Sequence, residues 1–159
     1  MPRHGPVRPR EVQPDPIYKN RLVTKLINRS MLDGKKSVAE KEIYRALELI
    51  KEKTQEDPIK VFTRAIENVK PSMEIRPRRI GGAAYQVPVP VKGERRESLA
   101  IRWLIAASRA RPNSEFHTYA EKLVAELTDA AKNEGGAVKK RTDVERMAEA
   151  NRAFAHFRW

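Results

Sequence analysis

Apolar positions along the chain follow two rhythms, and the switch between them outlines the fold. From residue 17 to residue 71 apolar side chains recur every three or four positions, the spacing of helices that bury one face. Asp15-Pro16 reads as a helix cap followed by a first-turn proline. Leu22, Val23, Leu26, Ile27 and Ser30 then share an inner face, while Arg21, Lys25 and Arg29 recur outside it. Gly34 suits a left-handed end to this first helix. Ser37-Val-Ala-Glu40 has the capping-box pattern for a second, whose buried stripe is Ala39, Ile43, Ala46, Leu47 and Ile50. Asp57-Pro58 repeats the cap-then-proline signal for a third, with Phe62, Ala65, Ile66 and Val69 inside, which must stop before Pro71.

The rhythm then shortens to two. Tyr85, Val87, Val89 and Val91 alternate with Gln86, Pro88 and Pro90, as in a strand. Gly81-Gly82 offers the positive φ angles of a tight hairpin, so residues 73–91 are expected to form a two-stranded antiparallel ribbon. Pro77, Pro88 and Pro90 cannot donate ladder hydrogen bonds, which keeps the ribbon out of any larger sheet. A lone ribbon is marginal in water and needs something to lie against.

Helical spacing resumes in a fourth helix, about Glu94 to Arg111, apolar over most of its circumference and therefore expected to be central. Pro112 closes it, and Asn113 or Ser114 is expected to open a fifth with Phe116, Tyr119, Ala120, Leu123, Val124 and Leu127 on one face. Asn133-Glu-Gly-Gly136 separates that from a sixth, about Ala137 to Arg152. The fold class is thus mostly α: a six-helix bundle, residues 17–159, with a β-ribbon protruding between helices three and four. Residues 1–16, with five prolines and three arginines, read as a basic arm that orders on its partner or, equally on this segment alone, as an untethered terminus with incidental charge.

Charge turns this outline into a functional expectation. The 159 residues carry 33 Lys and Arg against 21 Asp and Glu, a formal net charge of +12. Such a balance favours a polyanionic partner, through steering and counterion release. The cations are not scattered. Arg76, Arg78 and Arg79 lie on the ribbon, Lys92, Arg95 and Arg96 follow it, and no acid intervenes between Glu74 and Glu94. Edge protection of an exposed strand is the plainer explanation, but Arg interleaved with Pro, Gly and Tyr suits a phosphate backbone better. Arg95, Arg102 and Arg109 stand seven apart, nearly in line on the fourth helix. Either acids on other helices balance them or the helix lies along phosphates; the second reading is preferred. Lys139, Lys140 and Arg141 crowd the positive end of the sixth helix dipole, where a bound anion is expected to compensate them.

Catalytic chemistry finds no foothold. There is no cysteine, which removes disulfides, thiolate metal sites and cysteine nucleophiles. His4, His117 and His156 lack metal-ligand spacing, so no metal or other cofactor is expected. Asp33-Gly-Lys-Lys-Ser37 glances toward a phosphate-binding loop, but Arg29 and Lys36 stand where the motif requires Gly and Ser or Thr. Two lysines offered from an interhelical turn are the better reading of that segment. No apolar run approaches the ~18 residues of a membrane span, and no signal-peptide core opens the chain, so a cytoplasmic location and no membrane partner are expected.

Five stretches make the pattern familiar: Pro14-Asp-Pro-Ile-Tyr18, Met31-Leu-Asp-Gly-Lys-Lys-Ser37, Arg78-Arg-Ile-Gly-Gly-Ala-Ala-Tyr-Gln-Val-Pro-Val89, Leu99-Ala-Ile-Arg-Trp-Leu-Ile105 and the tail from Ala137 to Trp159. In this order they resemble the bacterial-type seventh small-subunit ribosomal protein family. The resemblance implies primary binding to the 3′ major domain of small-subunit rRNA and nucleation of the subunit head. It also implies a place near exit-site tRNA and the mRNA path at the subunit interface, beside the ninth and eleventh small-subunit proteins. Some members of the family repress their own messenger. The implied rRNA contacts are Arg3, Arg10, Lys35, Lys36, Arg76, Arg78, Arg79, Arg95, Arg102, Arg109 and Arg111. Gly81, Gly82, Ala83, Tyr85, Lys139, Lys140 and Arg141 match the regions near tRNA and mRNA. His4-Gly5-Pro6, Pro90 and Glu145 depart from the family's usual residues. An architectural DNA-binding protein with ribbon arms and an RNA-modifying enzyme remain the rival readings.

Overall fold

A computed structural model describes residues 11–157. Six α-helices and one hairpin follow in the expected order: α1 (Arg21–Ser30), α2 (Lys36–Thr54), α3 (Pro58–Val69), β1 (Met73–Ile80), β2 (Ala83–Pro90), α4 (Glu94–Ala110), α5 (Tyr119–Ala131) and α6 (Gly135–Ala150). A 3-10 helix, Arg152–Phe157, continues beyond α6 where the spacing predicted only the sixth helix.

The core is built from the predicted stripes. All five residues expected inside α2 are buried, as are Phe62, Ala65, Ile66 and Val69 of α3. The hub is shared. α4 packs on α1, α3, α5 and α6, while α5 packs on α2, α3, α4 and α6. α5 covers these neighbours with Ala120, Leu123, Val124, Leu127 and Ala130, all 0–1 % exposed.

Helix starts are where sequence and structure part. Asp57 caps α3 through the Ile59 N–H at 3.0 Å, as predicted. Asp15 does not open α1. Its Oδ2 accepts from Ile17 N–H and Tyr18 N–H and closes a single turn, which Lys19 ends at φ +49°. Asn20 caps α1 instead, accepting from Leu22 N–H at 2.8 Å. The Ser37 capping box does not form, because α2 begins earlier, after Lys35, without a side-chain cap. Gly34 is left-handed, but with Asp33 it makes the turn into α2; α1 has already ended at Ser30. α5 begins at Tyr119, not at Asn113 or Ser114, because Thr118 and Glu121 form a reciprocal capping box there.

The hairpin has the predicted two-residue turn. Gly81 and Gly82 lie at φ +55° and +89°, and Ile80 faces Ala83 across it. At its root the ladder runs on, Val91 N–H donating to Ser72 O at 3.0 Å. Val87 is buried and Val91 nearly so. Part of the support the ribbon requires is internal: α6 lies against β1, and Tyr85 packs on Phe154 and Phe157 at 5.3 Å between ring centroids.

Candidate nucleic-acid interface

Three clamps hold the ribbon on the helical body. Glu145 on α6 accepts from Ser72 N–H at 3.0 Å and from Ser72 Oγ at 2.7 Å. Burial would raise its carboxyl, but the Ser72 bonds and the nearby Arg141 and Arg96 outweigh that and hold it below the usual range. Arg96 on α4 donates to Pro71 O at 3.1 Å. Glu74 on β1 is the third. It is 7 % exposed, and its carboxylate receives Arg76 at 2.6 Å and Arg95 of α4 at 3.0 Å. Burial pushes Glu74 up, and the two guanidiniums more than reverse it, leaving an anion well suited to neutral pH.

This third clamp sets the geometry of the candidate interface. One carboxylate gathers a ribbon arginine and a helix arginine into a single cluster with an excess positive charge. Both guanidinium side chains stay about half exposed, at 51 % and 47 %. Arg78 and Arg79 are exposed farther out on β1. Arg102, two turns along α4 from Arg95, is exposed and itself makes no ion pair with the described residues. The turn residues Gly81, Gly82 and Ala83 are exposed, whereas Tyr85 is half-buried on the C-terminal aromatics.

Three other predicted cations, Arg109, Arg111 and Arg141, are engaged within the protein. Arg109 donates to Ser30 O at 2.8 Å and lies over the Tyr119 ring. Arg111, just past the end of α4, donates to Glu126 at 2.7 Å and to Asp129 at 2.5 Å, and its guanidinium covers Phe116. Arg141 points inward and donates to Asn68 O. Lys139 and Lys140 remain exposed. Lys35 and Lys36 are exposed at the α1–α2 turn, Lys36 with a loose 3.5 Å pair to Glu40. Arg3 and Arg10 lie outside the described residues. Of the three in-line α4 arginines, Arg95 is balanced by an acid, which comes from the ribbon and not from another helix, while Arg102 and Arg109 make no ion pair with the described residues.

The anion expected at the start of α6 is part of the chain. Glu126 Oε1 accepts from Ala137 N–H at 2.8 Å, so a buried carboxylate already sits on the positive end of the dipole. Because α6 starts at Gly135, Lys139 and Lys140 fall in its second turn, where the dipole has faded. A Cβ at Gly135 would come within 3.0 Å of that carboxylate, and φ there is +92°. Glu126 was readable from the sequence: its spacing from Leu123, Leu127 and Ala130 puts it on the buried face of α5. Glu74 and Glu145 were not, since the partners that tie them to other elements, Arg95 and Ser72, lie far away in the chain.

No group of His, Asp and Glu among the described residues could hold a metal, and no described helix is long and apolar enough to cross a membrane. The family model described as ribosomal protein S7p/S5e matches residues 2–152. Curated relatives named small ribosomal subunit protein uS7 match over the full length of both chains. The one from Carboxydothermus hydrogenoformans is 60 % identical over 159 residues, and that from Caldicellulosiruptor bescii 57 %. The relative from Sulfurihydrogenibium is also 57 % identical.

Proposed function

The chain belongs to the ribosomal protein S7p/S5e family, and from that premise we propose that it binds the 3′ major domain of small-subunit rRNA as a primary binder and nucleates the subunit head. It is a structural, non-enzymatic protein of the cytoplasmic small ribosomal subunit. Its chemistry is electrostatic: guanidinium and ammonium groups neutralise phosphates where RNA segments converge, and the helical body fixes their spacing.

The observation that carries this reading is the Glu74 clamp. It sets ribbon and helix arginines side by side with their outer faces in water. One RNA surface can then be gripped from two elements at once. The exposed hairpin tip, Gly81 to Ala83, and Lys139 with Lys140 are assigned to the neighbourhood of exit-site tRNA and mRNA. The ninth and eleventh small-subunit proteins are the proposed protein neighbours. Arg3 and Arg10 extend the rRNA contact, and residues 1–16 form its basic arm.

Filter binding to a 3′-domain rRNA transcript and to random duplex DNA tests the assignment. About eight phosphate contacts predict a slope near −6 to −7 for log affinity against log salt. A slope shallower than about −3, or equal affinity for the DNA at ~0.15 M salt, refutes it.

A further inference from the structure

The turn between α1 and α2 carries something the phosphate-binding reading does not use. Leu32 and Val38 are 62 % and 55 % exposed, two of the few large apolar side chains left in water among the described residues. They border a cavity of about 370 Å³ whose other walls include Ala39, Tyr119, Arg109 and Glu42. The walls are firmly placed. Tyr119 shares a hydrogen bond with Ser30 at 3.1 Å, Arg109 is held by the Ser30 carbonyl, and Glu42 Oε2 accepts from Ala120 N–H at 3.1 Å. Asp33 and Gly34, at φ +51° and +73°, fix the turn that brings Leu32 and Val38 to one mouth, beside Lys35.

We propose that this cavity receives one unstacked nucleobase of the bound RNA. The inference rests on the rRNA-binding reading and adds a contact of a different kind to it. Apolar side chains and an aromatic ring suit the faces of a base, and an arginine plane can stack on it. Glu42 has a second carboxylate oxygen to accept from an exocyclic amino group, which favours a base that carries one. Lys35, at the rim, is placed for the phosphate attached to that base. Size selects the occupant: Lys35 and Arg109 balance Asp33 and Glu42 around an apolar patch of two side chains, too small for a stable protein interface yet sufficient for a single base.

The test uses the full chain and the 3′-domain transcript. Leu32→Ser with Val38→Ser is expected to weaken binding about tenfold with the salt slope unchanged, because stacking releases no counterions. Lys35→Ala with Lys36→Ala is expected to lower the slope by about two. Independently of any variant, one base carrying an amino group should be shielded from dimethyl sulfate when the wild-type protein binds. Affinity of the double serine variant within twofold of wild type, with a steep salt slope retained, overturns the base pocket and leaves RNA binding standing. Absence of a shielded base does the same. Normal binding to naked RNA but poor incorporation into subunits assigns the patch to a protein neighbour, which also overturns it. A wild-type slope near zero removes the RNA reading, and the pocket with it.

Discussion

Two buried glutamates organise arginines in this protein, and they do so in opposite directions. Glu74, at the root of the ribbon, holds Arg76 and Arg95 while leaving both side chains about half exposed. Glu126, at the joint of α4, α5 and α6, draws Arg111 in to 19 % exposure and also receives the Ala137 N–H. The first arrangement presents positive charge to solvent. The second consumes it in holding three helices together. Arg102 and Arg111 come from the same region of the chain and look alike as cations, yet Arg111 is paired within the protein while Arg102 is exposed. Accessible charge, not charge, marks the candidate interface.

The largest expected effect lies on the inward side. Glu126→Ala removes one partner of a buried pair and leaves the Ala137 N–H unsatisfied, which should cost about 3–5 kcal/mol. At roughly 2–4 °C per kcal/mol, the thermal midpoint should fall by about 6–20 °C. A fall under ~3 °C would mean that the joint is cemented by apolar packing alone. Gly135→Ala attacks the same carboxylate from the other side, combining a 3.0 Å contact with a left-handed φ, and should cost about 1–3 kcal/mol in the same melt.

Arg111→Ala and Arg102→Ala set the two uses of arginine directly against each other. The first should lower stability by about 2 kcal/mol and leave the salt slope of RNA binding unchanged. The second should move stability by less than about 0.5 kcal/mol and reduce that slope by about one. Circular dichroism melts and filter binding on the same preparations read both quantities. Reversed outcomes would place Arg111 on the RNA and Arg102 in the scaffold.

Much of this fold was legible because it depends on local rules. The α2 stripe, the Asp57-Pro58 start and the Gly81-Gly82 turn each follow from a few adjacent residues. Errors came at helix starts, where two local solutions competed: Asp15 closes one isolated turn while Asn20, five residues on, caps the helix. At α5 the proline break at Pro112 competes with the capping box of Thr118 and Glu121, and the box sets the start. The candidate site was legible as composition only. Which arginines are engaged depends on pairings such as Arg95 with Glu74 and Arg141 with Asn68, made across the fold. Spacing along one helix cannot reveal them.

Acid titration sharpens the contrast with the smallest expected effect. Glu74 and Glu145 both have carboxyls held below their ordinary value of 4.5, so the folded state binds protons there less readily than the unfolded chain. Their stabilisation is therefore complete above about pH 4.5 and is lost as pH falls through the lowered folded values. Because the Glu74 guanidiniums are half exposed, its share should stay below about 1 kcal/mol and shrink further in 0.5 M salt. Urea melts of wild type and Glu74→Gln at pH 7 and pH 3 measure it. The variant should be slightly less stable at pH 7, and the gap should narrow toward acid pH, as the unfolded chain and then the folded state take up the Glu74 proton. A gap that persists undiminished at pH 3 would mean Glu74 acts by shape and hydrogen bonding, not by charge. The ribbon and helix arginines would then be gathered by packing, and the outward-facing cluster would lose its electrostatic origin.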